Sequence, residues 1–372
     1  MNRIKEGIII LECIALMLIC CACGKVKDPI EPTGRTSGTA DLDLSYESET
    51  DCQIGIGQLP VRAYTSNGIY FIEDGENLEA KYLKFYDSAA ERIVYVCSKS
   101  NCSHNDEECM AYLDSQEYPM PNIWYYDGSL YISKVDSDYM SIGKIALDGS
   151  TRADSCTLMR IIKETVKDPT GDIEYTYYPE MTLHRGYVYF STFYPGCESA
   201  DFRRVKLNSE EESEILYSLE GTALMLGRMK PYGGYVFFQA GTEDAQNIAI
   251  DIYKYDIETN ETEEYYPGVI RDYVPTEGGL YYLDLTNSIH KTDSVTKEDT
   301  VFYEPANSVG IVSLFIKGDK LIWQKQDADV VDDRGIYVYE QTVLDMNGNI
   351  IQELNGTQDD WYNSSGNLLA PY

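Results

Sequence analysis

The chain has 372 residues, 43% of them apolar, with 33 tyrosines and a formal net charge of −32. That length exceeds what one compact core usually takes, so two domains or a repeat architecture is expected. So acidic a surface repels phosphate backbones and anionic lipid headgroups, which argues against nucleic-acid binding and against a body lying flat on a membrane.

Residues 1–22 have the layout of a signal peptide. Arg3 and Lys5 form a basic start, and Gly7 to Ile19 is almost wholly apolar, interrupted by Glu12. The run is too short for an ordinary transmembrane helix and ends in small residues. The following Cys20-Cys21-Ala22-Cys23-Gly24 resembles the lipobox of bacterial lipoproteins, with Cys20 standing where Leu is usual and Cys21 as the second choice for the modified residue. This resemblance implies cleavage before Cys23, a diacylglyceryl thioether on its sulfur, and anchorage at the extracytoplasmic face of the cell membrane. Residues 23–50, rich in Pro, Gly, Ser, Thr and Asp, read as a flexible tether. Residues 51–372 are the folded body.

Within the body one phrase recurs: a Gly- or Asp-containing turn, then an aliphatic–aromatic strand. It appears at Asn67-Gly68-Ile69-Tyr70-Phe71, Asp127-Gly128-Ser129-Leu130-Tyr131 and Arg185-Gly186-Tyr187-Val188-Tyr189. It returns at Gly233-Gly234-Tyr235-Val236-Phe237, Gly278-Gly279-Leu280-Tyr281-Tyr282 and Gly318-Asp319-Lys320-Leu321-Ile322-Trp323. A further strand precedes each phrase and two follow it, as in the alternating Asp251-Ile252-Tyr253-Lys254-Tyr255-Asp256. Four short antiparallel strands per unit of roughly 40 to 60 residues are the pattern of propeller blades. The fold class is therefore all-β, a β-propeller of six or seven blades. Seven is favoured if Trp361, Tyr362, Leu368 and Leu369 pair with strands near residues 41–58. A pair of β-sandwiches and a β-solenoid are the rival architectures.

One stretch breaks the repeat: Cys97, Cys102, His104 and Cys109 follow each other as Cys-x4-Cys-x-His-x4-Cys. Three thiols and an imidazole could hold a tetrahedral zinc of structural type. The alternatives are free thiols, or a set of disulfides that would also draw on Cys52, Cys156 and Cys197, for instance with a Cys156–Cys197 bridge. Cys97, Cys102, His104, Cys109, Ala111 and Tyr112 together resemble the first-blade loop of a family of β-propeller lipoproteins of Gram-positive bacteria, defined by a domain of unknown function. The resemblance implies a fold and a membrane address, and no activity.

Catalytic motifs are sparse. The sequence has no Gly-x-Ser-x-Gly elbow, phosphate loop, dinucleotide fingerprint or His-Glu-x-x-His. His184 and His290 read as ordinary propeller residues, and the acidic run from Asp327 to Asp333 as a solvated turn. These features point to a membrane-anchored extracytoplasmic binding or interaction protein, with a glycan, a peptide or an envelope protein as partner. The alternatives are an envelope scaffold or sensor input, or a carbohydrate-active hydrolase or lyase.

Overall fold

The structure, a computed structural model, describes residues 62–75, 80–168, 171–243, 248–306, 310–331 and 337–357. The expected lipidation site Cys23, the tether, Cys52 and the strands sought near residues 41–58 and 361–369 lie outside these residues, as does the Asp332–Asp333 end of the acidic run.

The described residues are all β. Blade 1 contains β1 (Arg62–Thr65), β2 (Gly68–Asp74), β3 (Ala80–Asp87), β4 (Arg92–Tyr95) and β5 (Tyr112–Asp114). Blade 2 follows with β6 (Ile123–Tyr126), β7 (Ser129–Asp136), β8 (Tyr139–Ala146) and β9 (Arg152–Arg160). A hairpin of β10 (Ile162–Asp168) and β11 (Gly171–Tyr177) leads to blade 3, built of β12 (Met181–His184), β13 (Tyr187–Ser191), β14 (Ser199–Lys206) and β15 (Glu214–Glu220). Blade 4 is β16 (Leu224–Tyr232), β17 (Tyr235–Glu243), β18 (Ile248–Asp256) and β19 (Glu261–Tyr266). Blade 5 is β20 (Asp272–Thr276), β21 (Gly279–Leu283), β22 (Ile289–Asp293) and β23 (Asp299–Tyr303). Blade 6 is β24 (Ile311–Lys317), β25 (Lys320–Val331), β26 (Tyr337–Asp345) and β27 (Ile350–Thr357).

Blades 2–6 are four-stranded antiparallel meanders in chain order, blade 1 is the same with its fourth-strand position shared by β4 and β5, and the six blades form a β-propeller. All six Gly–aromatic phrases fall on the second strand of a blade, as the repeat required. First strands of neighbouring blades touch, β1 with β6, β12 with β16, β16 with β20 and β20 with β24, which places them at the axis. Second strands are buried, with β21 covered at all its positions, while outer strands such as β15 and β23 are largely exposed.

Six or seven blades were expected, and the described residues supply six; the segments sought for a seventh lie outside them. Five hydrophobic clusters join blades 1–2, 2–3, 3–4, 4–5 and 5–6. A further cluster packs Tyr64 of blade 1 against Tyr339 and Leu354 of blade 6. Blade 6 thus meets blade 1 directly, and the described residues form a six-bladed ring. The inserted hairpin β10–β11 was not foreseen, because its strands alternate like any blade strand.

A second repeat appears in the register. At the third position of the second strand an aromatic ring pairs with a cation on the third strand in four blades. The pairs are Tyr131 with Lys144, Tyr189 with Arg204, Phe237 with Lys254 and Tyr281 with Lys291. The two blades at the seam use apolar pairs there, Tyr70 with Phe85 and Ile322 with Val343.

Near the axis, Lys230 of β16 and Asp272 of β20 form an ion pair at 2.8 Å, with side-chain exposures of 2% and 0%. Asp272 also accepts hydrogen bonds from the backbone N–H of Tyr273 at 2.9 Å and of Leu314 in β24 at 2.8 Å. One carboxylate therefore ties the inner strands of blades 4, 5 and 6. A buried charge that loses its partner is costly, whereas replacing both partners by apolar groups is not. Asp272→Ala should lower the unfolding free energy by about 3–5 kcal/mol. The double change Lys230→Met/Asp272→Leu should cost much less, as read by urea denaturation followed by tryptophan fluorescence.

Candidate metal centre

The fourth strand of blade 1 is broken. β4 covers β3 from Lys84 to Asp87, and β5 covers it from Ala80 to Tyr82. Between them the chain leaves the sheet after Val96 and rejoins it at Ala111. Both ends are held by one residue: Leu83 O accepts from Val96 N at 3.0 Å, and Leu83 N donates to Ala111 O at 2.9 Å. The Cys–His motif occupies this excursion.

Its four candidate ligands converge. The Sγ atoms of Cys97, Cys102 and Cys109 and a ring nitrogen of His104 all lie within 4.8 Å of one another. His104 Nδ1 is 3.2 Å from Cys109 Sγ. Tetrahedral zinc with ordinary bond lengths would set sulfurs about 3.8 Å apart and nitrogen about 3.5 Å from sulfur. The donor set and its spacing fit such an ion, so this cluster could hold a metal.

The surroundings favour the thiolate at Cys97, oppose it at Cys109 and stack the imidazole on a ring. Ala111 N donates to Cys109 Sγ at 3.3 Å. Burial alone would raise the Cys97 thiol, but N–H groups of Lys99 and Met110 and the neighbouring cysteines bring it below its ordinary value. Burial pushes Cys109 up to about 11, aided by the adjacent thiols. The His104 ring lies flat on Tyr95, with centroids 4.5 Å apart and planes 9° from parallel. Tyr82 meets both Tyr95 and Tyr112 edge-on. Asn101 and His104 hold left-handed backbone, at φ 62° and 56°, which costs free energy that the loop's contacts must offset.

Blade 2 clasps the loop from the side. Arg152 of β9 donates to Met110 O, and to Tyr112 O at 2.9 Å. Gly149, at φ 72°, sits so close that a Cβ there would lie 2.3 Å from Val96 O. Glu117, Tyr118, Lys134, Lys144, Arg152 and Asp154 line an open hollow of about 290 Å³ at this junction. Lys134 is paired there with Glu117 and Asp154, at 3.2 and 2.9 Å.

The remaining cysteines stand apart. All five described cysteines are free thiols. Cys156 is buried in the cluster between blades 2 and 3, and Cys197 in the one between blades 3 and 4, so the two are not paired with each other. Burial pushes the Cys156 thiol up to about 11. His184 is fully buried, with Nε2 2.8 Å from Gly233 O of the next blade, a packing role. His290 has a richer setting than a plain strand residue. Its ring nitrogens face Asp299 at 3.2 Å and Asp284 at 3.4 Å, and its ring stacks on Tyr282. Tyr266 of blade 4 donates to Asp299 at 2.9 Å, making this cluster an inter-blade clasp. Sequence reasoning missed Leu83, Arg152 and Tyr95 around the Cys3His cluster. Only the aromatic position before Val96-Cys97 carried any local signal.

The fold and site define a six-bladed propeller with a Cys3His cluster in its first blade. No family model matches the chain, and no curated protein matches it in sequence. Among solved structures, it is similar to a prolyl endopeptidase at 11% identity and TM-score 0.49, over 79% of this chain and 41% of that one. It is also similar to an oligogalacturonate lyase from Vibrio parahaemolyticus at 11% identity and TM-score 0.49, over 84% and 80% of the two chains. An uncharacterized protein from Listeria monocytogenes matches at 8% identity and TM-score 0.39, over 63% and 64%. The chain spans about two fifths of the length of the prolyl endopeptidase chain.

Two changes test the clasp on the loop. Arg152→Ala should speed tryptic cleavage after Lys99 several-fold while leaving the denaturation midpoint of the propeller nearly unchanged. Gly149→Ala, strained in backbone and blocked by Val96 O, should have the same effect on cleavage and also lower the midpoint.

Proposed function

We propose that the protein is a lipid-anchored extracytoplasmic binding protein whose propeller is stapled in its first blade by a structural zinc ion. The convergence of Cys97, Cys102, His104 and Cys109 within 4.8 Å carries the zinc reading. Cys109 supplies the buried ligand, Cys97 and Cys102 the outer two, and His104 is oriented by Tyr95. The ion's role there is to close the excursion, since all four donors lie on one loop and none belongs to a deep cleft.

The address rests on the lipobox-like segment ending at Cys23, and lipid on that residue would tether the body through residues 23–50. The mixed-charge hollow at the blade 1–2 junction supports binding of an envelope partner, a glycan or a peptide, beside the centre. Asp148, Asp284, Asp293, Asp299 and Asp345 are all held below the ordinary carboxylate range, each by hydrogen bonds to its oxygens. These five are therefore not candidates for the general acid of a glycoside hydrolase, which needs the opposite shift.

Elemental analysis of the purified protein should find about one zinc per chain, as a single tetrahedral site requires. Cys109→Ser should abolish it and speed tryptic cleavage after Lys99, and a protein that holds no zinc when purified under reducing conditions would refute the staple. Radiolabelled palmitate should enter the protein in bacterial cells and be lost in Cys23→Ala. Pull-down from envelope extract should weaken when Lys134 and Lys144 are both changed to Glu.

A further inference from the structure

The metal centre has two kinds of thiol. Cys97 and Cys102 are partly exposed, while Cys109 is 3% exposed. The Cys109 sulfur is also engaged by Ala111 N and faces His104. A reagent arriving from solvent therefore meets Cys97 and Cys102 first. Their sulfurs already lie within 4.8 Å of each other, so a small movement of the loop brings them to bonding distance. Asn101, immediately before Cys102, has the left-handed backbone of a tight turn, which lets the chain double back between the two. Metal and disulfide, alternatives from the spacing alone, become two states of one site.

We propose, resting on the zinc reading above, that the centre is a thiol switch: a small-molecule disulfide oxidises Cys97 and Cys102 to a bridge and expels the metal. One outer thiolate attacks the oxidant R–S–S–R, forming a mixed disulfide and releasing R–S⁻. The second thiolate displaces the other R–S⁻ and closes the Cys97–Cys102 bond. Two electrons pass from the cysteines to the oxidant, and each R–S⁻ takes a proton from water. Zinc, left with Cys109 and His104 alone, departs, and Cys109 takes up a proton.

The loop then loses the ion that joins its outer half to Cys109. The change reaches blade 2 through Met110, whose carbonyl Arg152 holds. The Leu83 hydrogen bonds at the two ends keep the sheet of blade 1 in register in both states.

The full chain, purified with zinc under reducing conditions, would be titrated with oxidised glutathione while zinc release is followed with a chromophoric chelator. Zinc should leave in step with the loss of two hydrogen masses, peptide mapping should find Cys97 joined to Cys102, and tryptic cleavage after Lys99 should rise. Dithiothreitol and zinc should reverse all three. Cys102→Ser should instead retain glutathione as a mixed disulfide on Cys97. Zinc that stays bound after oxidation, or a bridge to Cys52 or Cys109, would overturn the switch while leaving the staple intact. A protein that holds no zinc before oxidant is added would overturn both.

Discussion

A four-stranded twisted sheet has two faces, and neither can be covered by the sheet itself. Every blade here depends on having a neighbour on each side, and the ring is the arrangement that supplies both. The second strands show the result. Val188, Phe190, Val236, Phe238, Leu280 and Leu283 are all fully enclosed, each by side chains of its own blade and an adjoining one. Phe202 of blade 3 stacks on Phe238 of blade 4 at 4.3 Å, so the aromatic richness of the sequence is spent between blades. Polar groups at the axis, led by Asp272, then fix which inner strand sits beside which.

What could be read from the residues alone was whatever is local. The turn-then-aromatic phrase recurs because each second strand faces the same surroundings, so its period and strand order followed directly. The four candidate ligands were visible because they fall within a short loop. What depends on distant residues was hidden. Blade number turns on Tyr64 meeting Tyr339, a contact between the two ends of the body that leaves no local mark. Lys230 and Asp272 are 42 positions apart on separate blades, and nothing in either neighbourhood announces a buried charge. His290 looked like one strand residue among many, because its partners Asp284 and Asp299 come from a turn and a strand end, and Tyr266 joins Asp299 from another blade.

The Cys3His cluster shows how a repeat can carry a specialised element without losing its regularity. Blade 1 keeps its meander, and the candidate ligands lie outside it. Tyr95 ends one half of the outer strand and Tyr112 begins the other, so the rings that flank His104 and Tyr82 are fixed by the sheet. Blade 2 contributes through Arg152 and the close approach of Gly149. The centre thus belongs to a junction between blades, where a change in one loop is felt by the next repeat.

Leu83 has a consequence of its own. By accepting from Val96 and donating to Ala111, it makes those two residues behave as if they were consecutive in the outer strand. The sheet does not register how many residues lie between them. Insertions or deletions in that interval would leave the strand pairing of blade 1 untouched, so the interval can change length and chemistry during evolution at little cost to the scaffold.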